Sequence, residues 1–277
     1  MVSPEISSLR KGIFYFVIIL IILYILIVLS IPIFELTIDF WNLVMTSIFI
    51  FIFIALHSII NLGVKKAFIF FIISTGISFI LEFLSINYGY FFGVYSYSNQ
   101  LGLKILSMPI LVILLWWSII YVAYAMSANF ILSIKTSMTN KFYLSLFISS
   151  ITALATVAWD LGLDPLAVAK GWWIWGESGI YFNIPISNFV WWFFTAFLVA
   201  LIFQIFFGYK VYKKEEGYDY TPTLGYFLFL LFIIALSLDT KRYVFILISS
   251  IALLPFISAG IIRYFTRKLK ISLSSLH

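Results

Sequence analysis

The chain has 277 residues, of which 64% are hydrophobic and 10% are charged. A soluble domain carries about 25% charged and roughly 45–50% apolar residues, so this composition excludes a water-soluble globular protein. Cysteine is absent and only two histidines occur. These counts exclude disulfides, thiolate metal sites and a cysteine nucleophile, and they leave no set of histidines for a metal or haem site.

Eight stretches are apolar and long enough to cross a hydrocarbon core, which takes about 20 residues of helix. In chain order they are 13–33, 42–62, 67–86, 107–130, 142–162, 186–208, 222–239 and 243–262. The first is too long for a cleavable signal peptide, and no small-residue cleavage site follows it before Pro32. The sequence therefore predicts an all-α fold, a polytopic transmembrane bundle of about eight spans that forms a single integral membrane domain over residues 1–277.

The basic residues indicate the orientation of this bundle. With eight spans, thirteen of the 17 Lys and Arg residues lie on the face that carries both termini, and the opposite face carries Lys104, Lys170, Lys241 and Arg242. Cytoplasmic loops carry such an excess of Lys and Arg. We therefore expect a multi-pass protein of the cell membrane with both termini in the cytoplasm. The basic residues are scattered over short loops, so membrane lipid is an expected partner and nucleic acid is not.

Two connections on the predicted outer side, 87–106 and 163–185, are long and rich in aromatic residues and glycine. One interpretation is an aromatic belt at the membrane interface, where Trp and Tyr are enriched. The other is that both segments fold back and roof a cavity, which is possible only where protein buries their backbone. Within the second connection, two short extended stretches are predicted around Gly176-Glu177-Ser178-Gly179.

Two predicted spans carry polar residues at every fourth position, which places them on one helix face. They are Ser74, Ser78 and Glu82 on span 67–86, and Thr152, Thr156, Asp160 and Asp164 on span 142–162. Both rows end in carboxylates at a similar depth, so we expect them to meet across a buried cavity. Hydroxyl residues alone are typical of helix–helix packing, which we favour for Ser74 and Thr152, whereas ionisable groups inside a membrane indicate function.

Two polar positions have further interpretations. Asp164 precedes Pro165, and a residue before proline disfavours helix, so this pair is also typical of a helix-ending turn. His57 lies on span 42–62 and is expected to be about 10 Å deeper than Glu82 at 1.5 Å per residue. With Asn61 one turn on, His57 is expected to form a satisfied polar contact or a proton path outside the site.

The chemistry open to such a site is limited by the motifs that the sequence lacks. There is no Asp-Asp-x-x-Asp or Asn-Asp-x-x-Asp cluster to bind the Mg²⁺ of a prenyl diphosphate, and no Gly-x-Gly-x-x-Gly motif or P-loop for a nucleotide. Carboxylates, tyrosines and tryptophans remain. A carboxyl group in apolar surroundings favours its protonated form and can donate a proton, and aromatic faces can stabilise a carbocation. These residues suit acid chemistry on a hydrocarbon.

The same residues lie within a wider motif. It comprises Glu82 with Phe92-Gly93-Val94-Tyr95-Ser96-Tyr97, Trp116-Trp117, Asp160-Leu161-Gly162-Leu163-Asp164-Pro165, Trp173-Ile174-Trp175, Ser187-Asn188-Phe189 and Trp191-Trp192. Over about residues 75–195 the chain resembles the carotenoid-biosynthesis membrane proteins that hydrate the acyclic ends of carotenoids, the carotenoid 1,2-hydratases and bisanhydrobacterioruberin hydratases. It departs from their pattern at Asn183 and Val190, where glycine is common.

The resemblance implies a cofactor-independent hydratase, a hydro-lyase that adds water across a terminal C=C, the ψ-end, of a lipid-soluble acyclic carotenoid. Protonation would give a tertiary cation, which water captures as a tertiary alcohol. The acid would be Asp160 first, Asp164 second, or Glu82, and its neighbour would orient or deprotonate the water. Four aromatic residues would shield the cation, and Asn188 would hold the water; the four are Tyr95, Tyr97, Trp173 and Trp175.

Two other functions remain open at this point. An isoprenoid cyclase or isomerase would use the same acid but exclude water. A non-enzymatic lipid-binding or proton-coupled membrane transporter would use the carboxylates as an ion site, but transporters favour inverted repeats, and the sequence shows no internal repeat.

Overall fold

The computed structural model describes residues 40–133, 140–208 and 221–274, together with six separate positions between residues 19 and 30. The predicted first span, 13–33, lies outside the described residues except at those six positions. All statements below concern the described part of the chain.

Seven long helices make up this part of the chain. They are α1 (Phe40–Leu62), α2 (Val64–Tyr88), α3 (Ile110–Ser133), α4 (Lys141–Ala169), α5 (Ile186–Phe207), α6 (Thr221–Asp239) and α7 (Val244–Ser274). Each contains a stretch that is long and apolar enough to cross a membrane. The predicted all-α polytopic bundle is therefore confirmed, and the seven spans predicted from residue 42 onward each correspond to one helix.

Helix α3 lies at the centre of the bundle. Of its membrane-crossing stretch, 72% is buried inside the protein, compared with 28% for α7. It packs against α1, α2, α4 and α6, while α4 makes its most extensive contact with α5. Among the described helices α3 is therefore the most enclosed, and the helices that carry the candidate site pack against it.

The predicted end of the fifth span is wrong, because α4 continues from 162 to Ala169 with Pro165 inside the helix. Proline lacks the N–H that would bond to the carbonyl four residues earlier, here that of Leu161. The hydroxyl of Tyr181 donates to this carbonyl at 2.8 Å. The freed carbonyl is thus satisfied from outside the helix, and Asp164–Pro165 is not a helix-ending turn.

Two connections cover one end of the bundle. They comprise residues 89–109 and 170–185, and together we call them the roof. The first contains β1 (Tyr95–Tyr97), a 3₁₀ turn (Asn99–Leu101) and the hairpin of β2 (Lys104–Ile105) with β3 (Met108–Pro109), and the second contains β4 (Trp173–Trp175). β1 pairs antiparallel with β4, with Tyr95 opposite Trp175 and Tyr97 opposite Trp173. Successive strand residues point to opposite faces, so the four aromatic side chains face the bundle.

The predicted extended stretches of the second connection are found only in part. The first is β4, but its partner is β1 of the other connection rather than the stretch after the turn. The second is reduced to a bridge between Tyr181 and Ile184. Asn183, where the resembling proteins commonly have glycine, has φ +68°, in the left-handed region that asparagine enters more readily than most residues.

The roof is attached to the helices by serine side chains. Ser85 Oγ, at the end of α2, donates to the carbonyl of Tyr90 and accepts from the amide of Phe92. Ser187 Oγ, at the start of α5, donates to the carbonyl of Phe92 at 2.9 Å. These bonds fix the first roof segment between α2 and α5, which sets the position of β1 above the bundle.

The hydroxyl rows on α2 and α4 have a packing role. Ser78 and Thr156 are fully buried, and each donates to a backbone carbonyl four residues earlier in its own helix. Ser74 and Thr152 donate in the same manner, to carbonyls three and four residues earlier. The small hydroxyls thus let neighbouring helices approach, while the carboxylates at the roof end of each row project into a common cavity.

Candidate active site

Glu82 is held by three donors from three different elements. Its Oε2 accepts hydrogen bonds from the hydroxyls of Tyr95 and Tyr97 on β1, each at 2.6 Å. Its Oε1 accepts from the indole Nε1 of Trp116 on α3 at 2.5 Å. The side chain is only 3% exposed, so these bonds replace the water that a carboxyl group would otherwise bind.

The two tyrosines that contact Glu82 keep their protons. Burial, and after it the charge of Glu82, raises the pKa of Tyr95 and of Tyr97 well above the usual value for tyrosine. Both phenols therefore remain O–H donors to Glu82 throughout the physiological range.

Asp160 and Asp164 lie one helical turn apart on α4 and share one amide. Asn188 on α5 donates through Nδ2 to Asp160 Oδ2 at 3.0 Å and to Asp164 Oδ2 at 2.6 Å. Trp173 on β4 donates through Nε1 to Asp164 Oδ1 at 2.5 Å. A side-chain amide has two N–H groups, and both are engaged here, so the amide nitrogen of Asn188 bridges the carboxyl groups and is not available to a water molecule.

One carboxyl oxygen differs from the others. Among the described residues, Asp160 Oδ1 is buried and has no hydrogen-bond partner. Two carboxyl groups this close cannot both remain ionised at low cost, so the pair shares a proton. Both oxygens of Asp164 accept from N–H groups, which can only donate. The arrangement thus leaves Asp160 Oδ1 as the atom that can carry the proton of the pair.

These residues surround a single cavity, which we call the carboxylate pocket. It is lined by Glu82, Tyr95, Tyr97, Val112, Leu115, Trp116, Asp160, Leu163, Asp164, Trp173, Trp175, Asn188 and Trp192. All eight side chains that the sequence assigned to the site are among them. The centre of a water molecule can reach about 30 Å³ of the pocket. About 10–15 Å³ in this measure is enough for one water, so the pocket has room for water beside a carboxyl group.

Aromatic rings form most of the remaining wall. Trp116 and Trp192 stack with their ring centroids 3.8 Å apart, and Tyr95 lies 4.9 Å from Trp175. Neither Trp116 nor Trp192 was assigned to the site from the sequence, although each belongs to a Trp-Trp pair of the motif. Adjacent residues lie 100° apart on a helix, so the sequence does not indicate which indole of a pair faces the cavity. The contact with Glu82 shows that Trp116 does.

The other ionisable residues singled out above lie elsewhere. His57 Nδ1 is 2.8 Å from the hydroxyl of Tyr121, and Asn61 contacts the same imidazole. His57 does not line the carboxylate pocket, in agreement with the greater depth expected for it. Glu177 is exposed in the roof. No group of three or more His, Cys, Asp or Glu side chains within the described ranges is placed to hold a metal ion.

A second cavity adjoins the pocket, and we call it the apolar groove. It offers about 60 Å³ in the same measure and is lined by Leu43, Ser47, Ile50, Phe51, Leu101, Leu111, Val112, Leu115, Trp159, Leu163, Trp172, Trp173, Phe229 and Phe232. Val112, Leu115, Leu163 and Trp173 line both cavities. A polar, water-sized pocket thus lies beside a larger apolar one.

Comparison with known proteins gives one result. No curated protein and no solved structure matches the chain. A family model described as "Carotenoid biosynthesis protein" matches residues 42–255, which includes every residue that lines the carboxylate pocket and the apolar groove. The match covers most of the chain and extends on both sides beyond the 75–195 region that carries the motif. With its membrane-spanning bundle, the chain therefore belongs to the carotenoid biosynthesis protein family and is a membrane protein of that pathway.

Proposed function

We propose that the protein is a carotenoid hydratase that adds water across the terminal trisubstituted C=C of an acyclic carotenoid in the cell membrane. The observation that carries this proposal is the unpartnered Oδ1 of Asp160, buried in a pocket that also contains Glu82 and Asp164. An acid proton, an apolar cavity and room for water are the three requirements of this reaction; the carboxylate pocket offers the first and the third, and the adjoining apolar groove offers the second.

In the first step, Asp160 transfers its proton to the less substituted carbon of the double bond. The π electrons form the new C–H bond, and a tertiary cation remains on the other carbon. Asp160 is the acid, since each oxygen of Asp164 already accepts from Trp173 or Asn188. Asp164 thus serves as the ionised partner, and the side-chain amide of Asn188 holds the two carboxyl groups in position.

In the second step, water adds to the cation. The water oxygen forms the new C–O bond, and the proton it loses returns to the Asp160–Asp164 pair, which restores the acid. The net reaction is alkene plus water to tertiary alcohol, with no redox change. We assign the water to the space beside Asp160 Oδ1, which after proton transfer is an acceptor without another partner among the described residues.

The opposite wall stabilises the charge that develops. Glu82 faces the cavity as a carboxylate held by Tyr95, Tyr97 and Trp116, and negative charge fixed beforehand stabilises a cation without reorganisation in the transition state. The faces of Trp and Tyr rings attract a cation in addition. These groups also separate the cation from bulk water, because the roof covers the pocket.

The pocket favours hydration over cyclisation. A cyclase or isomerase begins with the same cation but must exclude water, whereas this pocket has room for water beside a carboxyl oxygen that has no partner in the described part of the chain. A transporter is disfavoured because the three carboxylates all lie in the roof-side halves of α2 and α4.

The test is expression in a bacterium that makes an acyclic carotenoid such as lycopene, followed by mass analysis of the extracted pigments. We expect a gain of one or two waters with the wild type and none with Asp160→Asn or Glu82→Gln. Glu177→Gln, which removes an exposed roof carboxylate, is the matched control and retains the activity. An isomer of unchanged mass would assign a cyclase or isomerase instead. Hydration that persists in Asp160→Asn would reject Asp160 as the acid.

A further inference from the structure

The apolar groove adjoins the carboxylate pocket and shares part of its wall. Leu115 of α3, Leu163 of α4 and Trp173 of the roof line both cavities. Trp173 turns its indole N–H towards Asp164 in the pocket while its ring also borders the groove. A molecule whose terminus lies beside the carboxyl groups can therefore extend into the groove past these shared side chains.

The groove suits hydrocarbon better than a polar group. Its walls are formed by aliphatic and aromatic side chains of α1, α3, α4, α6 and the roof, and its polar groups are few: the hydroxyl of Ser47 and indole N–H groups, of which that of Trp159 has no partner among the described residues. A polar headgroup placed here would lose most of its hydrogen bonds to water without replacement. An isoprenoid chain would lose nothing and would bury apolar surface.

The groove lies at the depth of the hydrocarbon core. Phe229 is ten residues before the roof end of α6 at Asp239, about 15 Å along the helix at 1.5 Å per residue. Ile50 is likewise ten residues from the first residue of α1 at Phe40. Helices α1 and α6 both pack on α3 but touch each other only slightly. Within the described ranges, the part of the groove that these two helices line therefore lies at hydrocarbon depth, away from both aqueous ends of the bundle.

From these observations we propose that the apolar groove binds the hydrocarbon chain behind the reacting double bond, and that the substrate reaches the pocket sideways from the bilayer between α1 and α6. This inference rests on the proposed function and adds a specificity element to it. The pocket selects the acyclic end, and the groove selects a long and apolar continuation of that end.

Blocking the groove without changing the pocket tests this inference. Ile50 is 7% exposed and lines the groove, whereas Ile48 on the same helix is 42% exposed and does not. We expect Ile50→Trp to lower kcat/KM for a long acyclic carotenoid at least tenfold, mainly through KM, and Ile48→Trp to leave it unchanged. Ser47→Phe fills the groove from a second position and is expected to act like Ile50→Trp. Thermal unfolding in detergent shows whether each variant is folded.

A binding measurement separates this inference from the proposed function. In the Asp160→Asn background, binding of the carotenoid to the purified protein is followed by the visible circular dichroism of the bound pigment. Loss of binding on adding Ile50→Trp and Ser47→Phe, but not Ile48→Trp, supports the groove even if the wild type does not hydrate the pigment. Unchanged binding and turnover in both blocked variants would overturn the groove while leaving the hydratase intact. A wild type that binds no carotenoid, or a groove that retains only membrane lipid, would overturn it as well.

Discussion

The hydrogen bond from Tyr181 to the carbonyl of Leu161 makes a quantitative prediction about the helix that carries both aspartates. Pro165 removes the N–H that would normally bond to this carbonyl, and the Tyr181 hydroxyl takes its place at 2.8 Å. Leaving a buried carbonyl unsatisfied costs about 1–3 kcal/mol. Because Tyr181 is only partly buried, we expect Tyr181→Phe to lower the free energy of unfolding by about 1–2 kcal/mol.

A double-mutant cycle isolates this interaction from other effects of the substitution. In the Pro165→Ala variant the new backbone N–H can bond to the carbonyl of Leu161 within the helix. In that background Tyr181→Phe should lower the free energy of unfolding by at most about half as much as in the wild type, which corresponds to a coupling energy of about 1 kcal/mol between the two positions. The assay is reversible unfolding of the four proteins in mixed micelles with increasing denaturing detergent. An equal cost of Tyr181→Phe in both backgrounds would refute the reasoning, since the hydroxyl would then not be replacing the missing backbone donor.

Three further predictions concern packing, pH and the pocket. A Cβ on Gly162 would lie 2.0 Å from Ser249 Oγ on α7, so Gly162→Ala should lower stability in the same assay by about 1–3 kcal/mol; Gly76→Ala, with no neighbouring atom within 4 Å, should be neutral or stabilising by about 0.5–1 kcal/mol. Burial, followed by the charges of the two aspartates, raises the pKa of Tyr181 to about 12. The stability that its hydrogen bond contributes is therefore fully present below about pH 10 and is lost as the pH rises towards about 12. The difference in free energy of unfolding between wild type and Tyr181→Phe should narrow over that window, and a constant difference would contradict the raised pKa. Trp116→Phe removes the indole N–H that donates to the pocket glutamate. Because a hydrogen bond to a charged group contributes about 1.5–3 kcal/mol, pigment conversion should slow about tenfold or more while the bound pigment's spectrum stays the same. An unchanged rate would show that this indole takes no part in the mechanism.

The sequence by itself determined the helices and the positions of the candidate site residues along them. In a bilayer only helices or closed barrels satisfy the backbone, so long apolar stretches predict spans directly, and seven of them coincide with helices. Carboxylates are costly there, which made Glu82 and Asp160 conspicuous, and the four-residue spacing placed each on a buried face. These are local properties of the chain, and the structure places all eight assigned side chains around one pocket.

Tertiary structure decided which groups meet. The pairing of β1 with β4 joins segments separated by two helices, and no local pattern specifies such a partner. Helix α4 continues through Pro165, and the hydroxyl of Tyr181 donates to the carbonyl of Leu161 that the proline leaves free. The local helix propensity at Asp164–Pro165 does not predict this contact. The choice of Trp116 over its neighbour, and the one carboxyl oxygen left without a partner among the described residues, also depend on packing between distant elements. The sequence thus placed the chemical groups along the helices, and the folded bundle determined the hydrogen bonds between them.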